Sequence, residues 1–129
     1  MPDPFRALVV AQSETFRLLV AAALRDLASP AGRRAETAEA ADGFEALARA
    51  ARERFDIVVT DLDLPVLPGE ELIRLLRSRP EQASLPVVAV AWGDPEEGLK
   101  RLSGSAALAS APFTAETLAQ ALARAGFEP

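Results

Sequence analysis

Apolar positions along this chain switch between two periods. "ALVVA" (Ala7–Ala11), "DIVVT" (Asp56–Thr60) and "PVVAVA" (Pro86–Ala91) are short unbroken apolar runs, the pattern of strands buried on both faces. A weaker strand is expected near Arg34–Glu39 and a small one at "AALA", Ala106–Ala109. Between them the spacing turns helical. Phe16, Leu19, Val20, Ala23, Leu24 and Leu27 recur on one side of a helix that Ser13 can cap. A short helix carries Phe44, Leu47 and Ala48, and "PGEELIRLLRS" gives a third. "DPEEGLKRLS" opens a fourth, with Asp94 as cap, Pro95 in the first helical position and Glu97 to close a capping box. Gly98 weakens its interior by about 1 kcal/mol relative to Ala. Thr114 caps a last helix bearing Leu118, Ala121, Leu122 and Ala125.

Five strands alternating with five helices predict an α/β fold with a parallel sheet covered on both faces. The doubly wound, flavodoxin-like (βα)5 arrangement with strand order 2-1-3-4-5 fits this count. In such sheets ligands bind beyond the carboxyl ends of the strands, where the strand order reverses. That crevice is expected at Ala11, Gln12 and Asp61, with Ala91 and Ala111 nearby. No glycine-rich phosphate loop is present in the sequence.

Composition narrows the chemistry. The 129 residues suit one domain, and half of them are hydrophobic. There are no cysteines and no histidines. Disulfides, thiolate zinc sites, imidazole bases and His-containing triads are therefore excluded, and so is a histidine phosphotransfer role. The net charge of −5 repels nucleic acid unless a basic patch is set apart. The only adjacent basic pairs are Arg33–Arg34 and Lys100–Arg101, so no nucleic-acid partner is expected. "LLVAAAL" (Leu18–Leu24) is too short to span a bilayer, and "MPDPFR" lacks a signal-peptide pattern. The expectation is a cytoplasmic protein with no membrane partner.

"LVVAQSE", "AADGFEAL", "DIVVTDLDLPVLPGEEL", "LPVVAVA" and "SAPFTAETL" occur in order, and with them the chain resembles the receiver domains of two-component response regulators. The likeness runs from about Phe5 to Phe127. It implies one receiver-like domain over residues 1–129, with no output domain among them. It also implies an Asp at the end of the third strand that takes phosphate from a histidine kinase, here Asp61. The two acids that help such domains hold Mg²⁺ are Ala11 and Gln12 here. The Thr or Ser that bonds phosphoryl oxygens is Ala91, the Lys that pairs with them is Ala111, and the aromatic switch is Leu108. A cis Ala111–Pro112 peptide is implied as well. So is a partner surface on the fourth helix and fifth strand, with Leu99, Leu102 and Leu108, and Trp92 close by.

The missing groups bear on mechanism. A phosphoaspartate adds roughly −1.5 to −2 charge, taking other phosphoresidues as guide. Phosphoryl transfer depends on positioning and on neutralising that charge. Each lost donor or cation costs on the order of 3 kcal/mol in such sites. The favoured reading is a degenerate receiver, a non-enzymatic interaction module that works without phosphorylation and without a cofactor, with Asp61 vestigial. Its expected partner is a protein, a histidine kinase or another regulator, or a second copy of the chain. The alternative is a working receiver phosphorylated on Asp61, with Asp63 or Glu14 replacing a lost ligand and Mg²⁺ held weakly by Asp61, Asp63 and Gln12. A further alternative is a small-molecule binder on the same fold. Glu96, Glu97, Lys100 and Arg101 read as a solvated helix face. For Trp92 three roles stand level: a plug in the crevice, an exposed anchor, or ordinary packing.

Overall fold

A computed structural model describes residues 3–129. Its sheet is wholly parallel, in the order β2-β1-β3-β4-β5. The strands are β1 (Phe5–Val10), β2 (Ala35–Ala40), β3 (Ile57–Asp61), β4 (Val87–Ala91) and β5 (Ala107–Ser110). The helices that follow them in turn are α1 (Glu14–Ala28), α2 (Gly43–Arg52), α3 (Gly69–Arg77), α4 (Pro95–Leu102) and α5 (Ala115–Arg124). This is the doubly wound topology expected from the alternation of periods.

Strand side chains alternate between two cores, as the pleat requires. Phe5, Ala7 and Val9 of β1 join Phe16, Val20 and Leu24 of α1 and Leu118 and Leu122 of α5. Leu8 and Val10 point the other way, into a cluster with Leu72, Ile73 and Leu76 of α3 and Leu102 of α4. A strand that feeds two cores has no polar face, which is why β1, β3 and β4 read as apolar runs, whereas the edge strand β2 keeps Glu36, Thr37 and Glu39 partly exposed.

Several local expectations shift. The side chain of Ser13 accepts from Phe16 N at 3.1 Å, capping α1. Asp94 also caps, but its carboxylate accepts from Glu96 N at 3.0 Å, and Glu97 pairs outward with Lys100 instead of closing a box. The reciprocal capping box forms at α5, between Thr114 and Thr117. Leu19 and Phe44, expected on buried faces, are more than half exposed. The buried face of α2 is built from Gly43, Ala46 and Ala50. A Cβ on Gly43 would lie 2.7 Å from Leu67. These small residues bring the helix close to its neighbours and leave Phe44 on the outer side.

Candidate functional site

The carboxyl ends of β1, β3, β4 and β5 meet at one rim, and Asp61 stands at its centre. Asp61 is the last residue of β3 and pairs in register with Val90. One oxygen of its carboxylate accepts the Asp63 N–H at 2.9 Å. The backbone beside it is held by Gly69, whose N–H donates to Leu62 O at 2.9 Å. A Cβ on Gly69 would lie 2.5 Å from Asp61 O and 2.7 Å from Leu62 Cα. Glycine is required there because the start of α3 presses directly on the end of β3. In the same loop Val66 has φ 66° and is 86% exposed, a strained conformation for a β-branched residue.

Burial pushes the Asp61 carboxyl above its ordinary range. The negative charge of Asp63 adds to this, while the Asp63 amide, the Trp92 indole and the positive charge of Arg101 pull it back. The indole is near enough to matter but does not reach hydrogen-bond geometry. The formed bond to this carboxylate, among the described residues, is that of Asp63 N.

Three of the positions around Asp61 that carry chemistry in the resemblance, Ala11, Ala91 and Ala111, belong to the packing. Ala11 is fully buried in the α1/α5 cluster, and Ala111 packs against that cluster. Ala91 is 5% exposed and belongs to the opposite cluster. Ala111 N donates to Ala91 O at 2.8 Å, closing the ends of β4 and β5 together. Gln12 and Glu14 are exposed. Among the described residues no three acidic side chains gather into a metal-holding group. The Ala111–Pro112 peptide is cis.

Two arginines organise the rim, Arg101, which the sequence placed on a solvated face, and Arg17, which it did not single out. Arg101, on α4, places Nε and Nη2 on the two oxygens of Glu70, both at 2.7 Å. Its Nη1 reaches Asp63 Oδ1 at 2.9 Å and its Nη2 reaches Leu62 O at 3.1 Å. The face read as solvated is thus split. Lys100 and Glu97 do point to solvent, whereas Arg101 ties α4 to the β3–α3 loop. This pairing holds the Glu70 carboxyl below its ordinary range and raises the Arg101 guanidinium above its own. On the other side, Arg17 donates to Ala11 O at 2.6 Å, Gln12 O at 3.1 Å and Glu39 at 2.8 Å, bracing the β1–α1 loop. Neither role had a local signature, because each partner lies in another part of the chain.

Trp92 follows β4 and is half exposed, its ring 5.3 Å from Phe16. Phe16 in turn meets Phe113 edge-on at 5.7 Å. A shallow groove of about 330 Å³ runs between these rings, Leu19 and Pro112. Trp92 therefore packs against Phe16 while about half of it stays exposed. Of the residues expected on the α4–β5 partner surface, Leu99 is 54% exposed, but Leu102 and Leu108 are 2% and 8% exposed. The last two are core residues, since α4 lies flat on the sheet. A Cβ on Gly98 would come within 3.1 Å of both Ala91 and Leu108.

The model for the response regulator receiver domain matches residues 8–123. The chain belongs to that family. As a receiver it is a part of two-component signalling, and its likeness to other members is spread along the fold. It is 33% identical to the chemotaxis protein CheY-3 of Vibrio cholerae over 119 residues, covering 91% of this chain and 88% of that protein. It is 35% identical to the gliding motility regulatory protein of Myxococcus xanthus over 67% of this chain, but spans only 12% of that protein's length. Among solved structures, chemotaxis response regulator CheY4 of Vibrio cholerae superposes with a TM-score of 0.80 at 28% identity, covering 95% of this chain and 98% of that one. The receiver domain of a sensor histidine kinase from Pseudomonas aeruginosa, solved with magnesium in its active-site cleft, gives 0.78 at 25% identity, over 96% of this chain and 99% of that one. Among the described residues no helix is long and apolar enough to cross a membrane.

Proposed function

We propose that this receiver acts as a protein-interaction module that does not depend on phosphorylation of Asp61. The observation that carries the reading is the state of the positive charge at the rim. Arg101 is the cation nearest in influence to Asp61, and it is already engaged by Glu70, Asp63 and a backbone carbonyl. A phosphoryl group on Asp61 would bring negative charge to a half-buried site with, among the described residues, no free cation beside it, an uncompensated electrostatic cost. Mg²⁺ does not fit this donor set. It requires near-octahedral oxygen ligation, whereas beside the Asp61 carboxylate the rim offers the buried methyl of Ala11, the exposed amide of Gln12 and an Asp63 carboxylate held by Arg101.

The same clamp supports the interaction role. A phosphorylation switch needs an element with two positions that the new charge can bias. Here α4 is fixed to the β3–α3 loop by Arg101 and to the sheet through Gly98. One preset surface, carrying Leu99 on α4 and Trp92 in the loop before it, is what a partner would meet. That partner is another cytoplasmic signalling protein, a histidine kinase or a second regulator, or another copy of this chain.

The test is treatment with acetyl phosphate and Mg²⁺ followed by intact-mass measurement. The expected result is no phosphoprotein. Mg²⁺-dependent addition of one phosphoryl group, absent in Asp61→Asn, would instead establish the working-receiver alternative, in which Asp63 or Glu14 must leave its present surroundings to serve the metal.

A further inference from the structure

Asp63 is held at both ends. Its backbone N–H donates to Asp61 Oδ1 at 2.9 Å, and its own Oδ1 accepts from Arg101 Nη1 at 2.9 Å. Among the described residues no other residue joins the Asp61 carboxylate to α4 through hydrogen bonds. Arg101 spreads the hold further. Its Nε and Nη2 take both oxygens of Glu70, in the first turn of α3, and Nη2 also reaches Leu62 O, which the Gly69 N–H shares at 2.9 Å. The Asp61 carboxylate, the β3–α3 loop, the start of α3 and the guanidinium on α4 thus form one bonded series.

The far end of that series is a short element. Helix α4 has eight residues, about two turns. Gly98 and Leu102 set it on the sheet, and Arg101 is its ionic link to the loop. Leu99, two positions before Arg101, is the exposed apolar residue of the helix. A change in how Arg101 is held therefore acts on a helix too short to absorb it along its length. The near end is open. Asp61 Oδ2 has no hydrogen-bond partner among the described residues.

We propose that Asp63 is a positioning residue that couples the Asp61 carboxylate to the docking face of α4, so that a donor group brought to Asp61 by a partner changes how firmly Arg101 holds Leu99 in place. The firm α4 is the resting state. A donor drawing on the Asp61 carboxylate weakens the acceptor that orients the Asp63 N–H, and the Asp63 carboxylate moves with its backbone. Coupling of this kind is reciprocal, so a partner seated on Leu99 acts on Asp61 in turn. The links to Asp63 and Glu70 are part exposed, and ion pairs of that kind are weak enough for a docking partner to compete with. The coupling rests on the reading of α4 as the docking face, and it needs no phosphoryl group.

The experiment is a double-mutant cycle on the whole chain, read by amide chemical shifts and hydrogen exchange. Asp61→Ala removes the acceptor of the Asp63 N–H. Asp63→Ala keeps that N–H and cuts only the bond to Arg101, leaving Glu70 and Leu62 O on the guanidinium. Asp63 is exposed and Asp61 is a carboxyl that burial disfavours, so both variants should fold. Asp61→Ala is expected to shift the Leu99, Lys100 and Arg101 amides and to speed their exchange about two- to fivefold. In the Asp63→Ala background the same substitution should leave those three amides unchanged, while still shifting the amide at position 63. Unmoved α4 amides in Asp61→Ala would overturn the coupling. Equal movement with and without the Asp63 carboxylate would overturn the role of Asp63 and assign the effect to the Leu62 backbone. A phosphoprotein formed with acetyl phosphate would overturn the phosphorylation-independent reading and leave the outcome of this cycle as it stands.

Discussion

The two rims of the sheet have opposite characters. At the carboxyl ends of the strands the side chains have become small and apolar, and Ala11, Ala91 and Ala111 belong to the cores or pack against them. One carboxylate, Asp61, remains half buried there, held above its ordinary protonation range by the surrounding protein. At the other rim charge is dense, and part of it is paired. Glu53 takes hydrogen bonds from both Arg6 and Arg49, which hold it below its ordinary range. The comparison teaches that the position of Asp61 and the groups around it are set by different parts of the fold. The backbone that places Asp61 is maintained by Gly69 and the β3–β4 ladder, while the residues that face it from β1, β4 and β5 are set by those strands.

Restoring a lost ligand is the harshest way to break this contrast. Ala11→Asp should destabilise the protein by about 3 kcal/mol or more in chemical denaturation, because Ala11 is fully buried and the guanidinium beside it, that of Arg17, is already engaged by Glu39 and two backbone carbonyls. Gln12→Asp, one residue on and exposed, should change stability little. Equal tolerance of the two would mean that the rim opens more readily than its packing indicates.

Gly69→Ala comes next, with an expected loss of roughly 2–3 kcal/mol by the same measurement. Its methyl would meet backbone atoms of Asp61 and Leu62 rather than a yielding side chain. Arg101→Gln should cost about 1 kcal/mol, since the clamp is only partly buried. Its sharper readout is hydrogen exchange. Amides of α4 and the β3–α3 loop should exchange faster, while those of α5 stay unchanged. Unaltered exchange in α4 would remove the fixed-surface argument.

The smallest effects should differ in sign between the rims. The folded-state pKa of Asp61 is raised, so its ionised form opposes folding at neutral pH. Asp61→Asn should therefore melt slightly higher than wild type at pH 7. The advantage should shrink as pH falls through the folded-state value toward the ordinary one, because wild type then takes up the proton. Glu53 is the reverse case. Its pKa is depressed, so its contribution is favourable above the ordinary value and is lost as pH falls through the folded one. Glu53→Gln should lower the midpoint at neutral pH and have little effect in acid. Melting curves of the two variants across pH that move in the same direction would contradict the contrast between rims.

The sequence by itself determined the architecture. Strand runs such as "DIVVT" and "PVVAVA" and the helical spacing from Phe16 to Leu24 are local patterns, and each is set by the need to bury one periodic face. The same reading located Asp61 at a strand end and identified the alanines beside it, because motif spacing fixes where residues fall along the chain. It placed Leu102 and Leu108 on a surface and Arg101 in solvent, and there tertiary structure decided otherwise. The phase of α4 on the sheet depends on how closely Gly98 lets it approach Ala91 and Leu108. The role of Arg101 depends on Asp63 and Glu70, residues from 38 to 31 positions away in sequence. Periodicity reports which face of an element is buried. Which partner a polar group finds is a property of the assembled fold, since that partner arrives from elsewhere in the chain.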